Sequence, residues 1–110
     1  MVNSSPELDR AFSAMSHPIR RRIVERLASG PATVGEASAG IRVSKPAITK
    51  HLHVLEDANV ISRAVHGREH RLSLNARPLD GASGWLERQR ELWERKFDVV
   101  EEYLEERRHR

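Results

Sequence analysis

Residues 44–59 read SKPAITKHLHVLEDAN, and the way this stretch coils decides the fold. Ser44 can accept a hydrogen bond from a first-turn amide, and Pro46 is tolerated there because first-turn N–H groups have no partner within a helix. Ile48, Leu52 and Leu55 then recur at i, i+4 and i+7, the spacing of one buried stripe on a helix that runs to about Asp57. Asn59 tolerates left-handed backbone and ends the run. Away from the stripe stand Lys45, Thr49, Lys50 and His53. The stretch could be a reading head for nucleic acid, a metal site or a core helix with a polar back. Successive helical residues turn by about 100°, so His51 and His53 point about 200° apart and cannot share an ion within one chain. His51 is expected to pack and hydrogen-bond near the edge of the core.

Upstream, Thr33 and Glu36 form a capping box that opens a short helix to about Ile41, joined to the 44–57 helix by a three-residue connection. Ser4, Pro6 and Glu7 mark another start, with Leu8, Phe12 and Met15 at helical spacing to about Ser16. His17-Pro18 restarts the chain into a helix carrying Ile19, Ile23 and Leu27 on one face, and Gly30-Pro31 closes it. Arg20, Arg21 and Arg22 fan over about 200°, which predicts a solvated surface with one backbone contact rather than a single phosphate-binding face.

Downstream, residues 61–65 and 70–74 flank HGRE, where Gly67 supplies the positive φ of a hairpin loop. Pro78, Gly81 and Gly84 read as a connector before a long helix from about Ser83 to Arg107. On that helix Trp85, Leu86, Leu92, Trp93, Phe97, Val99, Val100, Tyr103 and Leu104 fall inside an arc of about 160°, wider than one helix contact needs. A second copy of the chain is the natural cover, with Leu8 and Phe12 of the first helix beside it. Gln89 and Lys96 lie near the middle of the arc, either setting a dimer register or facing a polar cleft.

With 110 residues the chain has room for one domain, spanning 1–110, with dimerisation helices at about 5–16 and 83–107. The expected fold is mainly α with a small two-stranded β-hairpin: four helices, the hairpin, then a fifth helix. No apolar run is long enough for a membrane span, and no basic segment leads into an apolar one, so a cytoplasmic location is expected. Cysteine is absent, which excludes thiolate metal sites, disulfides and cysteine nucleophiles. Glu105 and His109 could chelate only weakly, and solvated charges describe them better. No metal ligand set and no cofactor is assigned. No glycine-rich phosphate loop or nucleophile with a base is visible, so an enzyme is not expected. Up to Gly84 twelve Lys or Arg face eight Asp or Glu, whereas from Trp85 onward seven meet eight. The basic excess therefore belongs to the first three quarters of the chain, which favours an anionic partner.

The order of a short helix, a turn, a second helix and a hairpin is that of a winged helix-turn-helix. From Phe12 to Leu104 the chain resembles the ArsR family of bacterial regulators, through MSHPIRRRIVERLASGPATVGE, VSKPAITKHLHVLEDANVISR, the HGRE wing tip and WLERQRELWERKFDVVEEYL. The resemblance is to the branch without cysteine metal-sensing motifs. It implies a homodimeric regulator of double-stranded DNA, usually a repressor that leaves its operator when an effector binds. Its fourth helix would enter the major groove and its wing would lie along the flanking backbone. Carried onto this sequence, Ser44, Lys45, Thr49, Lys50, His53 and Arg68 face DNA. The dimer surface falls on Leu8, Phe12, Trp85, Leu86, Leu92, Trp93, Phe97, Val100 and Leu104. Asn59 stands where the family often has glycine and Lys45 where it often has glutamine, so an operator preference does not carry over. A protein-interaction module without DNA binding, and a metal-responsive repressor with non-cysteine ligands, stay open as alternatives.

Overall fold

The computed structural model describes residues 5–109. In chain order it has α1 (Pro6–Ala14), α2 (Pro18–Ala28), β1 (Ala32–Thr33), α3 (Val34–Ala37), α4 (Lys45–Asp57), β2 (Ile61–His66), β3 (Glu69–Leu74) and α5 (Ala76–Arg108). The mainly helical winged architecture is the expected one, with several corrections to its parts.

The wing is three-stranded rather than two-stranded, in the order β1-β3-β2, because Ala32 and Thr33 pair with Leu72 and Arg71. Thr33 then serves a second purpose as the cap of α3: its hydroxyl accepts from the Glu36 amide at 3.2 Å, and Glu36 accepts from the Thr33 amide at 3.2 Å. That capping box was legible, but α3 stops at Ala37, short of Ile41, and the connection to α4 is longer than three residues. The hairpin is tighter than HGRE suggested: His66 pairs with Glu69, so only Gly67 and Arg68 form the turn, with Gly67 at φ 64°.

Helix α1 ends at Ala14 and its cap is Ser5, whose hydroxyl accepts from the Leu8 amide at 3.3 Å. Ser4, the expected cap, lies outside the described residues. Helix α5 starts at Ala76 rather than Ser83 and runs unbroken through Pro78, Gly81 and Gly84. Pro78 sits in its first turn, where a missing N–H costs nothing, so the residue taken for a breaker is part of the start. At 33 residues the helix is about 50 Å long.

Leu52 and Leu55 of α4 pack with Ile23, Val24 and Leu27 of α2, Val60, Ile61 of β2 and Leu72 of β3 in one core cluster. Ile48 completes the buried stripe, and Val54, on the opposite side, is 37% exposed. Asn59 takes φ 58°, as its place after the helix requires.

Two guanidinium groups lock α4 from its flanks. Arg20 of α2, expected to be solvated, is half-buried: its Nε donates to the Ala14 carbonyl at 2.7 Å and one Nη to the Ser13 carbonyl at 2.9 Å. Its other Nη lies 3.1 Å from His51 Nδ1. It thus satisfies the open end of α1 and ties it to α4. The His51 ring packs 4.4 Å from the ring of His17, the α2 cap, whose Nδ1 accepts from the Ile19 amide at 3.1 Å. On the other flank Arg63 of β2 bonds Glu56 of α4 at 2.6 Å and lies 3.0 Å from His70 Nδ1 of β3.

Burial, followed by the charges of His17 and Arg20, holds the His51 imidazole below the ordinary histidine value of 6.5. The unfolded chain therefore takes up this proton first as pH falls, so the stability that the neutral ring contributes is full above about 6.5 and declines as pH drops toward the depressed folded value. Urea unfolding at pH 7.5 and 5.5 of the wild type and His51→Gln should show the wild-type advantage shrinking at the lower pH. The comparison cancels the titrating groups that do not interact with His51. Leu52→Ala should cost on the order of 2 to 5 kcal/mol in the same assay, whereas Val54→Ala should change stability by less than about 0.5 kcal/mol.

Candidate nucleic-acid interface

With the Ile48, Leu52 and Leu55 stripe buried, the opposite face of α4 is fixed in solvent. Thr49, Lys50 and His53 are all exposed there, and Lys45 is exposed in the first turn. Neither lysine is paired with a carboxylate among the described residues. Their positive charge is available to an outside partner, unlike that of Arg26, Arg63 and Arg71, which are paired with carboxylates.

Ser44 and Thr49 each carry an internal duty as well. The Ser44 hydroxyl oxygen accepts from the Ala47 amide at 3.3 Å, which leaves its proton free to donate to a phosphate. The Thr49 hydroxyl donates to the Lys45 carbonyl at 3.1 Å, so what it offers outward is a methyl group and a lone pair. A methyl suits thymine, and a lone pair suits an exocyclic amine of adenine or cytosine. The hairpin is less basic in effect than in composition. Arg63 is taken by Glu56 and His70, and Arg71 by Glu69 at 3.1 Å. Arg68 at the exposed turn remains without a carboxylate partner among the described residues.

The structure thus gathers Ser44, Lys45, Thr49, Lys50 and His53 on one element and sets Arg68 on the separate wing tip. Sequence reasoning passed over Arg42, which is exposed two residues before the α4 cap; its closeness to that cap was the available signal. It also passed over Asp57, exposed on the same side of α4 at the far end, where a carboxylate opposes phosphate and limits how much of the helix an anion can follow.

The residues assigned to a dimer surface are open. Trp93 is 63% and Phe97 61% exposed, and Leu86, Leu92, Val100 and Leu104 are close to half exposed. Phe12 and Trp85 instead meet each other within the chain, edge to face at 5.7 Å. Gln89 is half-buried and Lys96 exposed. Among the described residues no group of three or more His, Cys, Asp or Glu is placed to hold a metal ion, and no helix is long and apolar enough to cross a membrane.

A family model for a helix-turn-helix domain matches residues 15–64, which hold α2 to α4 and the start of β2. The transcriptional repressor SdpR of Bacillus subtilis is 35% identical over 79 residues, covering 72% of this chain and 88% of SdpR. The HTH-type transcriptional regulator Rv2034 of Mycobacterium tuberculosis is 49% identical over 53 residues, 48% of this chain and 50% of that protein. Among solved structures, an ArsR family transcriptional regulator superimposes with a TM-score of 0.78 at 35% identity, covering 86% of this chain and 97% of the other. An ArsR-like transcriptional regulator from Rhodococcus sp. RHA1 gives a TM-score of 0.72 at 28% identity, covering 86% and 89%. The three-stranded wing, the outward basic helix and these matches agree: the chain belongs to the ArsR family of winged helix-turn-helix transcriptional regulators.

Proposed function

We propose that the protein is a homodimeric repressor that binds an inverted-repeat operator in double-stranded DNA. The observation that carries this reading is the outward face of α4, where Lys45 and Lys50 stand unpaired beside Thr49 and His53 while the opposite face is locked in the core. Lys45, Thr49 and Lys50 contact base edges, Ser44 and His53 contact phosphates, and Arg68 follows the backbone or the minor groove from the wing tip. Arg42 adds a phosphate contact. The protein works in the cytoplasm, where its DNA is.

Two protomers join through α1 and α5. An apolar stripe as long as that from Leu86 to Leu104 exceeds what a monomer normally leaves in water. Charge selects the pairing: Asp98, Glu101, Glu102, Glu105 and Glu106 against Arg107 and Arg108 make the second half of the stripe acidic, whereas Arg88, Arg90, Arg95 and Lys96 against Glu87, Glu91 and Glu94 leave the first half close to neutral. Antiparallel helices set these opposite one another, and parallel ones would stack like charges. Each protomer then presents its α4 to one of two successive major grooves, about 34 Å apart.

Footprinting on the DNA upstream of the protein's own gene would supply the operator. On that site Lys50→Ala should lower affinity by about 1 to 3 kcal/mol without changing the thermal midpoint. Arg68→Ala should weaken specific and random DNA alike and make the salt slope shallower by about one. Equal affinity of Lys50→Ala and wild type at several salt concentrations would sink the assignment, and an absence of salt dependence would point to an interaction module that does not bind DNA. Phe97→Glu should yield a folded monomer in sedimentation, with operator affinity reduced at least about tenfold.

A further inference from the structure

Arginine carries N–H donors and no acceptor, so a ring nitrogen that it meets must offer a lone pair. Arg20 Nη stands 3.1 Å from His51 Nδ1, which therefore carries no proton and leaves the single proton of the ring on Nε2. The neighbouring ring is bound by the same requirement: His17 Nδ1 accepts from the Ile19 amide at 3.1 Å and is unprotonated as well. The two rings lie 4.4 Å apart between centroids, and both are half-buried. The ends of α1, α2 and α4 are thus joined through two imidazoles that must both be neutral.

No carboxylate offsets charge in this cluster. From α2 the rings are faced by Arg20, and from the end of α1 by the Ser13 and Ala14 carbonyls and the Ser16 hydroxyl, which Arg20 takes at 2.9, 2.7 and 3.4 Å. Arg21, next along α2, bonds the Met15 carbonyl at 2.8 Å. On α4 the residues one turn either side of His51 are Ala47, Ile48, Val54 and Leu55, none of which titrates. Glu56 is held on the other flank by Arg63, and Lys50 and His53 are exposed on the outer face. Among the described residues no ion pair includes His17, Arg20 or His51. A proton on His51 would set a donor against the Arg20 donor and one positive charge beside another. A proton on His17 would strip the cap from α2 and place a cation against the second ring.

We propose that the His17, Arg20 and His51 cluster is an acid-sensitive joint, which holds α4 in its reading position while both rings are neutral and frees it when they take up protons, so that the operator is released in acid. His51 stands between Lys50 and His53 on the reading helix, so a ring that moves away from Arg20 shifts the outward face with it. Proton linkage gives the sign. An arrangement that requires the unprotonated His51 ring is favoured above the ordinary histidine value of 6.5 and gives way, as pH falls below it, to any arrangement that frees the ring. His53 responds in the opposite sense, because a protonated ring is attracted to phosphates of any sequence. Its contribution is common to the wild type and to a variant at position 51, so the joint is read from the difference between the two. The regulatory role rests on the DNA-binding reading, whereas the protonation state of the rings does not.

Operator binding by the full-length protein, followed by fluorescence anisotropy at pH 7.5 and 5.5 and one ionic strength, tests the joint against His51→Gln, whose side-chain carbonyl accepts from Arg20 at either pH. One ring that is neutral in the complex and has its ordinary value when freed changes the affinity at pH 5.5 by at most about tenfold. The wild-type Kd should therefore rise by about three- to tenfold relative to that of His51→Gln over this interval, with far-UV circular dichroism unchanged. His17→Asn, which caps α2 without titrating, should make the rise smaller. Nitrogen NMR of the histidine rings in the free wild type at pH 7.5 should find Nδ1 unprotonated in both His17 and His51, a result that needs neither a variant nor DNA. Parallel pH responses of wild type and His51→Gln, a proton on His51 Nδ1 at pH 7.5, or a loss of binding that coincides with a loss of helix would each overturn the joint. If neither protein binds the operator at pH 7.5, the DNA-binding reading fails and the regulatory role falls with it, even where both Nδ1 atoms prove unprotonated.

Discussion

The packing of Ile48, Leu52 and Leu55 against α2 and the wing is the constraint on which the rest depends. A helix of 13 residues has little stability alone in water, so burial of its apolar stripe is what holds α4 together. The same burial fixes its rotation, and rotation decides which side chains face outward. A turn of the helix by one residue, about 100°, would bring Thr49 and His53, or in the other sense His51 and Val54, into the core in place of Ile48, Leu52 and Leu55. The interface is therefore specified from behind, by residues that never meet a partner.

Two polar locks reinforce that rotation. Arg20 takes the carbonyls left open at the end of α1 and reaches His51, and Arg63 joins Glu56 to His70. Both locks lie at the margin of the core, where water screens less than at the surface and a lost partner leaves a costly unsatisfied group. They also withdraw two positive charges from the surface, leaving Lys45 and Lys50 exposed on α4, Arg68 on the wing, Arg42 before α4, and Arg21 and Arg22 on α2.

Much of this was legible in the sequence, because the decisive signals are local. The stripe of α4, the Ser44 cap, the Thr33-Glu36 capping box and the positive φ of Asn59 and Gly67 depend on neighbours within a few residues. The outward face of α4 followed from the stripe by helical geometry. What escaped depends on distant partners. Ala32 and Thr33 form a strand only because β3, some forty residues on, supplies its edge, and two residues are too few to show alternation. Arg20 finds its role through carbonyls six and seven residues back and a histidine 31 residues ahead. Pro78 was misread because proline stops a helix in its interior and starts one in its first turn, and composition alone does not distinguish the two places.

The continuity of α5 has a mechanical consequence. It begins two residues after the last wing strand and extends without a break for about 50 Å, in a molecule 75 Å along its longest axis. A connector there would have let the winged unit swivel. An unbroken helix acts instead as a rigid lever whose short arm is bonded to the wing. A tilt of about 5° at one end displaces the other by about 4 Å over that length, comparable to the rise of one base pair of DNA. Small adjustments at the base of the lever are thus converted into a displacement of its far end about as large as one base-pair step.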